Sequence, residues 1–186
     1  MFKDLSLFIC LVFLVECCSA HGFGGSGLLH PLTGIDHILA MVAVGAWSAQ
    51  IGGRGIYLVP CCFLVMMVIG GVAGTTIIAI NNIDWLISFS IILLGLAIFI
   101  DKKVSVFIAG LAVGAFGFTH GYAHGAEIPH NLNVYEYIIG FTITTLALHF
   151  IGAVGGLLIL EERKGPKQLQ VLGAITSVVG VYLLFR

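Results

Sequence analysis

Apolar runs long enough to cross a bilayer recur from residue 28 to residue 185, and this constrains the chain more than any other feature. They occupy residues 28–49, 56–80, 83–100, 104–125, 134–160 and 168–185. A helix rises about 1.5 Å per residue, so a hydrocarbon layer of about 30 Å takes about 20 residues. The third run is short and the fifth is long, which predicts tilt or partial embedding. The breaks carry turn or charge signals: Gly52-Gly53-Arg54-Gly55, Asn81-Asn82, Asp101-Lys102-Lys103, Pro129-His130-Asn131 and residues 161–167. Connections this short predict that consecutive helices are antiparallel neighbours. The expected fold is an all-α integral membrane protein, a bundle of roughly six transmembrane helices.

Composition agrees. The chain is 59% hydrophobic and 9% charged, whereas soluble domains carry about 25% charged residues. A lipid bilayer is the solvent that suits such a surface. The formal net charge of -1 offers no basic footprint, so nucleic acid is not an expected partner. Abundant glycine reads as close helix packing, notably the pairs Gly110/Gly114 and Gly152/Gly156.

Residues 1–20 have the layout of a signal peptide. Lys3 precedes an apolar run at 5–15, too short to span, and Cys18 and Ala20 place small residues before a cleavage point at His21. Asp4 and Glu16 depart from that layout, which leaves an uncleaved anchor as the alternative. Residues 21–186 then form a single transmembrane domain with two remaining cysteines, Cys61 and Cys62, and no disulfide framework.

Arg54, Lys102, Lys103, Arg163, Lys164 and Lys167 all fall in connections on one side of the expected bundle. By the positive-inside rule that side is cytoplasmic and the mature N-terminus lies outside. Trp85 beside Asp84, and Trp47, read as interface anchors.

Against this apolar background the ionisable residues stand out, since such groups at membrane depth are costly and usually functional. His30, Asp36 and His37 lie in the first run, His120 and His124 near the end of the fourth, Glu127 just after it, and His149 well inside the fifth. All fall in the outer half or near the middle. On one continuous helix His30 and His37 share a face, with Met41 a turn further along. His120 and His124 have the i, i+4 spacing that lets two imidazoles reach one ion, and Gly121 and Gly125 leave room for a neighbouring helix or that ion. Imidazoles with carboxylates and no thiolate suit a borderline divalent ion such as Ni²⁺, Co²⁺, Zn²⁺ or Cu²⁺. Cleavage before His21 adds a free amine and an imidazole, an expected external capture point. For His149 alone, a hydrogen bond to a neighbouring helix is the competing structural explanation. His130 reads as a solvated loop residue.

Three blocks carry a family resemblance. The stretch His30-Pro31-Leu32-Thr33-Gly34-Ile35-Asp36-His37, continuing to Met41, resembles the signature of the HupE/UreJ family. The stretch His120-Gly121-Tyr122-Ala123-His124-Gly125-Ala126-Glu127 resembles that family's second block, and Thr145 to Gly152 its third. The resemblance implies a secondary transporter of nickel, or of cobalt, in a bacterial inner membrane. It implies functional roles for His30, Asp36, His37, His120, His124 and Glu127, with Met41 a further candidate. It also implies service to hydrogenase or urease maturation, with cytoplasmic metallochaperones as partners.

The expected function is uptake of a divalent transition metal, Ni²⁺ first, captured by His21 or His30, passed to His37, Asp36, His120 and His124, and released past His149. The metal is cargo, and no permanently bound cofactor is expected. No Gly-x-x-x-x-Gly-Lys-[Ser/Thr] or His-Glu-x-x-His motif is present, so neither ATP hydrolysis nor zincin chemistry is expected and the chain does not read as an enzyme. Transport of Co²⁺ or another divalent ion, and a non-transporting accessory protein that binds metal or haem, are the alternatives.

Overall fold

A computed structural model describes residues 27–76, 82–128 and 132–186. The signal-peptide reading, His21 and His130 therefore lie outside the described residues. After a 3₁₀ turn at His30–Leu32 come six helices: α1 Ile35–Ile51, α2 Gly55–Thr76, α3 Ile83–Ile100, α4 Val106–Ala126, α5 Val134–Glu161 and α6 Gly165–Leu184. Five of them are long and apolar enough to cross a membrane; α1 has 17 residues and is the shorter exception. Large apolar side chains such as Val65, Phe107, Phe150 and Val178 face outward, the surface that lipid solvates and water does not. The result is an all-helical membrane bundle, as the apolar runs predict.

The first run departs from expectation. It is not one helix from residue 28: Pro31 sits in the opening turn of the 3₁₀ segment rather than at the start of α1, and Gly34 is extended, with φ −103° and ψ 122°. Proline has no N–H to leave unpaired and so suits an opening turn, which is where Pro31 sits in the 3₁₀ segment; the extended Gly34 then separates that segment from α1. The irregular backbone is satisfied by protein. The Leu32 and Thr33 amides donate to the Leu29 and His30 carbonyls at 3.0 Å each, and the Thr144 hydroxyl of α5 donates to the Leu28 carbonyl at 2.6 Å. Non-helical backbone at membrane depth persists where protein covers it in this way.

Packing order also differs from sequence order. The dominant pairs are α2 with α4, α1 with α5 and α3 with α6, whereas α2 barely touches α3 and α4 barely touches α5 among the described residues. Short connections dictate antiparallel direction but not contact, and glycine faces decide the contacts. Gly70 meets the Phe118 backbone and Gly74 that of Tyr122, while Gly121 and Gly125 meet the carbonyls of Met67 and Gly71. The register rises together on both helices, so α2 and α4 are parallel. In α1 and α5, Gly45 lies against the His149 carbonyl, Gly152 against Val42 and Gly156 against Ala46, again in parallel. The third pair is antiparallel: Gly173 faces Phe99, Gly180 faces Ile92, and the Ser177 hydroxyl donates to the Ile92 carbonyl at 3.0 Å. A methyl group at most of these glycines would overlap facing backbone, which is how small residues let membrane helices gain contact. The expected packing role of Gly152 and Gly156 is thus met; Gly110 and Gly114 face the side chains of Cys62 and Met66.

These pairings bring α1, α2, α4 and α5 around one interior. Met41, Val44, Phe63 and Val113 fill it, all wholly buried. Trp47 is also inside, 5% exposed, and so is not the interface anchor the sequence suggests; Trp85 does face outward.

Candidate metal centre

α4 ends with its two histidines on the buried face, because Gly121 and Gly125 seat that end against α2. His124 is the junction of the site. Its Nδ1 lies 2.9 Å from His30 Nε2 and 3.4 Å from a Glu127 carboxylate oxygen, and its Nε2 lies 3.0 Å from His37 Nδ1. His30, His124 and Glu127 each offer a ligand atom, all within 4.8 Å of one another. That is the separation at which one ion can draw several donors together. His30 and His124 are partly buried and Glu127 is largely exposed, so this group sits at the mouth of the bundle.

His30 and His37 do meet at one place, but not by sharing a helix face. His30 belongs to the 3₁₀ turn and His37 to the first turn of α1, and tertiary folding of residues 27–34 onto α5 joins them through His124. Gly27 rests on the Tyr137 backbone, and Gly140 takes the Leu28 backbone. Phe141 walls the trio, with its ring centroid 4.8 Å from that of His37 and 5.0 Å from that of His124. A shallow cleft lined by Met67, Gly71, Gly121, Tyr137 and Phe141 reaches His124 from the side.

His120 lies one turn deeper on α4, wholly buried, with its ring 5.5 Å from that of His37. Its Nδ1 is 2.9 Å from the Phe116 carbonyl. A carbonyl only accepts, so Nδ1 carries the proton and Nε2 keeps a lone pair, the arrangement by which a second partner orients a metal-ligating imidazole. His149 is 1% exposed and packs edge-on against Phe63 at 5.1 Å, while Phe63 lies 5.6 Å from His120.

Asp36 and Met41 lie outside the group of His30, His124 and Glu127. A carboxylate oxygen of Asp36 accepts the His37 amide at 2.8 Å, so it closes the first turn of α1, where the helix dipole favours negative charge. Met41 is wholly buried in the apolar core. Phe63, Tyr137, Phe141 and Thr145 went unread in the sequence. The last three fall at steps of four residues that end on His149, a stripe that periodicity drawn through that histidine would reveal.

Glu127 caps α4 at the mouth. The hydrogen bond with His124 holds its carboxyl below the usual value; partial burial opposes this, and the charges of His124 and His30 reinforce it. The mouth therefore keeps a negative charge into acid, which favours a cation.

The fold and site define a polytopic helical membrane protein with a cluster of imidazoles and a carboxylate at one end of the bundle. A model of the family described as HupE / UreJ protein matches residues 11–183, and the chain belongs to that family. It is 36% identical over 159 residues to Protein HupE of Rhizobium leguminosarum bv. viciae, covering 86% of this chain and 83% of that one. No solved structure matches.

Proposed function

We propose that this chain is a secondary permease for a divalent transition metal, Ni²⁺ in the first instance and Co²⁺ as the neighbouring choice. The observation that carries the reading is the convergence of His30, His124 and Glu127, backed by His37, at the mouth of an apolar bundle. A dication entering hydrocarbon needs donors to replace its water and a negative charge to offset its own. Imidazoles with one carboxylate supply both, and they suit nickel and cobalt better than magnesium or calcium.

The connections with Arg54, Lys102, Lys103, Arg163 and Lys164 lie at the ends of α1, α3 and α5 away from this cluster. The positive-inside rule then sets the histidine mouth on the outer side of a bacterial inner membrane. An inside-negative potential would draw a dication inward by about 4.6 kcal/mol per 100 mV. Membership of the HupE/UreJ family supports transport rather than catalysis. Release would be to cytoplasmic metallochaperones of hydrogenase or urease maturation. A haem-binding role is disfavoured by geometry. A porphyrin held by two imidazoles must lie between them, and the rings of His30, His124 and His37 already touch, with centroids 4.8 and 4.6 Å apart.

The test is uptake of radioactive nickel into proteoliposomes carrying an imposed inside-negative potential. Accumulation that collapses with the potential supports a permease. Binding to the outside without accumulation contradicts it.

A further inference from the structure

Deeper than the mouth, several polar atoms are sealed in the bundle with nothing to bond. His37 Nε2, His120 Nε2, both ring nitrogens of His149 and the Thr145 hydroxyl have no hydrogen-bond partner among the described residues. Their residues are at most 2% exposed. Buried polar side chains almost always have a partner, so each exception calls for an explanation, of which an absent ion is one.

Tautomers indicate which partner is missing. His120 Nδ1 is committed as a donor to the Phe116 carbonyl, which leaves Nε2 as a bare acceptor. His124 Nδ1 lies 2.9 Å from His30 Nε2 and 3.4 Å from Glu127, which only accepts; with the proton on that nitrogen, as the carboxylate favours, His124 Nε2 accepts from His37 Nδ1 and His37 Nε2 is a second bare acceptor. His149 adds at least one lone pair whichever tautomer it takes. Lone pairs without donors call for a Lewis acid.

The donors are joined through a shared neighbour. The rings of His37 and His120 are 5.5 Å apart, and the Phe63 ring packs against both His120, at 5.6 Å, and His149, at 5.1 Å. Thr145 lies one turn before His149 on the α5 face that carries Phe141 against the mouth.

We propose that His37, His120, His149 and Thr145 form a second, inner station at which the dication rests without water after leaving the mouth. This rests on the transport reading above. One ion occupies the stations in turn, because two dications this close in a medium of low polarity would repel strongly. His37 is the shared ligand, with one nitrogen toward His124 and the other toward the inner group.

A thiol placed at the inner station reports an ion there directly. In a chain whose five native cysteines are replaced by alanine, His149→Cys should give a thiolate-to-nickel charge-transfer band in the near ultraviolet when Ni²⁺ is added. The buried neighbour Leu148→Cys should not. His149→Ala should slow nickel uptake about tenfold or more, with nickel still bound at the mouth. No band from His149→Cys in protein that binds nickel, even after Glu127→Gln weakens the mouth, overturns the inner station. So does normal uptake by His149→Ala. If the cysteine-free parent itself binds no Ni²⁺, the transport reading fails first, and that result is separately visible.

Discussion

The mouth and the interior of this bundle are built from the same residue type and treated in opposite ways. His30 and His124 are partly exposed, hydrogen-bonded to each other and accompanied by the carboxylate of Glu127. His120 and His149 are sealed, and three of their four ring nitrogens are unpartnered. An exposed, charge-assisted group suits capture of a hydrated ion, since water can leave in steps. A sealed group of neutral donors suits brief residence: it replaces the ion's water but offers little charge to trap it. His37 stands between them, hydrogen-bonded on one nitrogen and orphaned on the other.

The sharpest way to break this contrast is to remove its junction. His124→Ala eliminates contacts with His30, His37 and Glu127 together, and nickel uptake should fall about a hundredfold, measured in proteoliposomes against protein of equal insertion. Near-normal uptake would show that capture lies elsewhere. Glu127→Gln keeps the shape but removes the charge, and nickel affinity should drop about tenfold by equilibrium binding. An unchanged affinity would show that the mouth binds through imidazole alone.

Acid should separate the two kinds of group at the mouth. Protons compete with metal for an imidazole's lone pair, so uptake should decline as pH falls from neutral into the acid range. Glu127 does not itself titrate in that decline. Its carboxyl is held below the usual value by His124, so its charge persists through the window and is lost only as pH falls through the lowered value. The coupling between Glu127 and these imidazoles is mutual, so Glu127→Gln should lower the starting rate and move the decline to lower pH. An unmoved midpoint would mean that the imidazoles governing the profile are not the ones Glu127 touches.

The smallest effects come from the scaffold that sets both groups in place. A methyl at Gly121 would overlap the Met67 carbonyl, whereas one at Gly155 meets nothing within 4 Å. Gly121→Ala should destabilise by about 1–3 kcal/mol and Gly155→Ala by almost nothing, as read from thermal unfolding in detergent. Equal behaviour of the two would show that the α2/α4 contact does not position His120 and His124.

These contrasts were partly legible in the sequence. Spacing on α4 was enough to place His120 and His124 on one face, because both lie inside a regular helix. The apolar runs likewise revealed the all-helical architecture, since length and hydropathy are local properties. The site's other half was read by the wrong geometry. A continuous helix from residue 28 would have aligned His30 with His37, yet Pro31 and Gly34 already carried the signal for a break. Their actual meeting depends on Thr144 holding the Leu28 carbonyl, a contact 116 residues apart that no local pattern encodes. Helix neighbours were misread for a similar reason: a glycine face shows that something approaches closely but not which helix. Asp36 is a further case: spacing puts it beside His37, but only the fold shows that one of its carboxylate oxygens accepts the His37 amide in the first turn of α1.

The central claim, that imidazoles of this bundle hold the ion, is tested most directly by X-ray absorption at the nickel edge on the loaded, purified protein. The account predicts nitrogen neighbours at about 2.0–2.1 Å with the outer-shell scattering of imidazole rings, and fewer rings in His124→Ala. A shell of oxygen alone, or a spectrum that His124→Ala leaves unchanged, would contradict it.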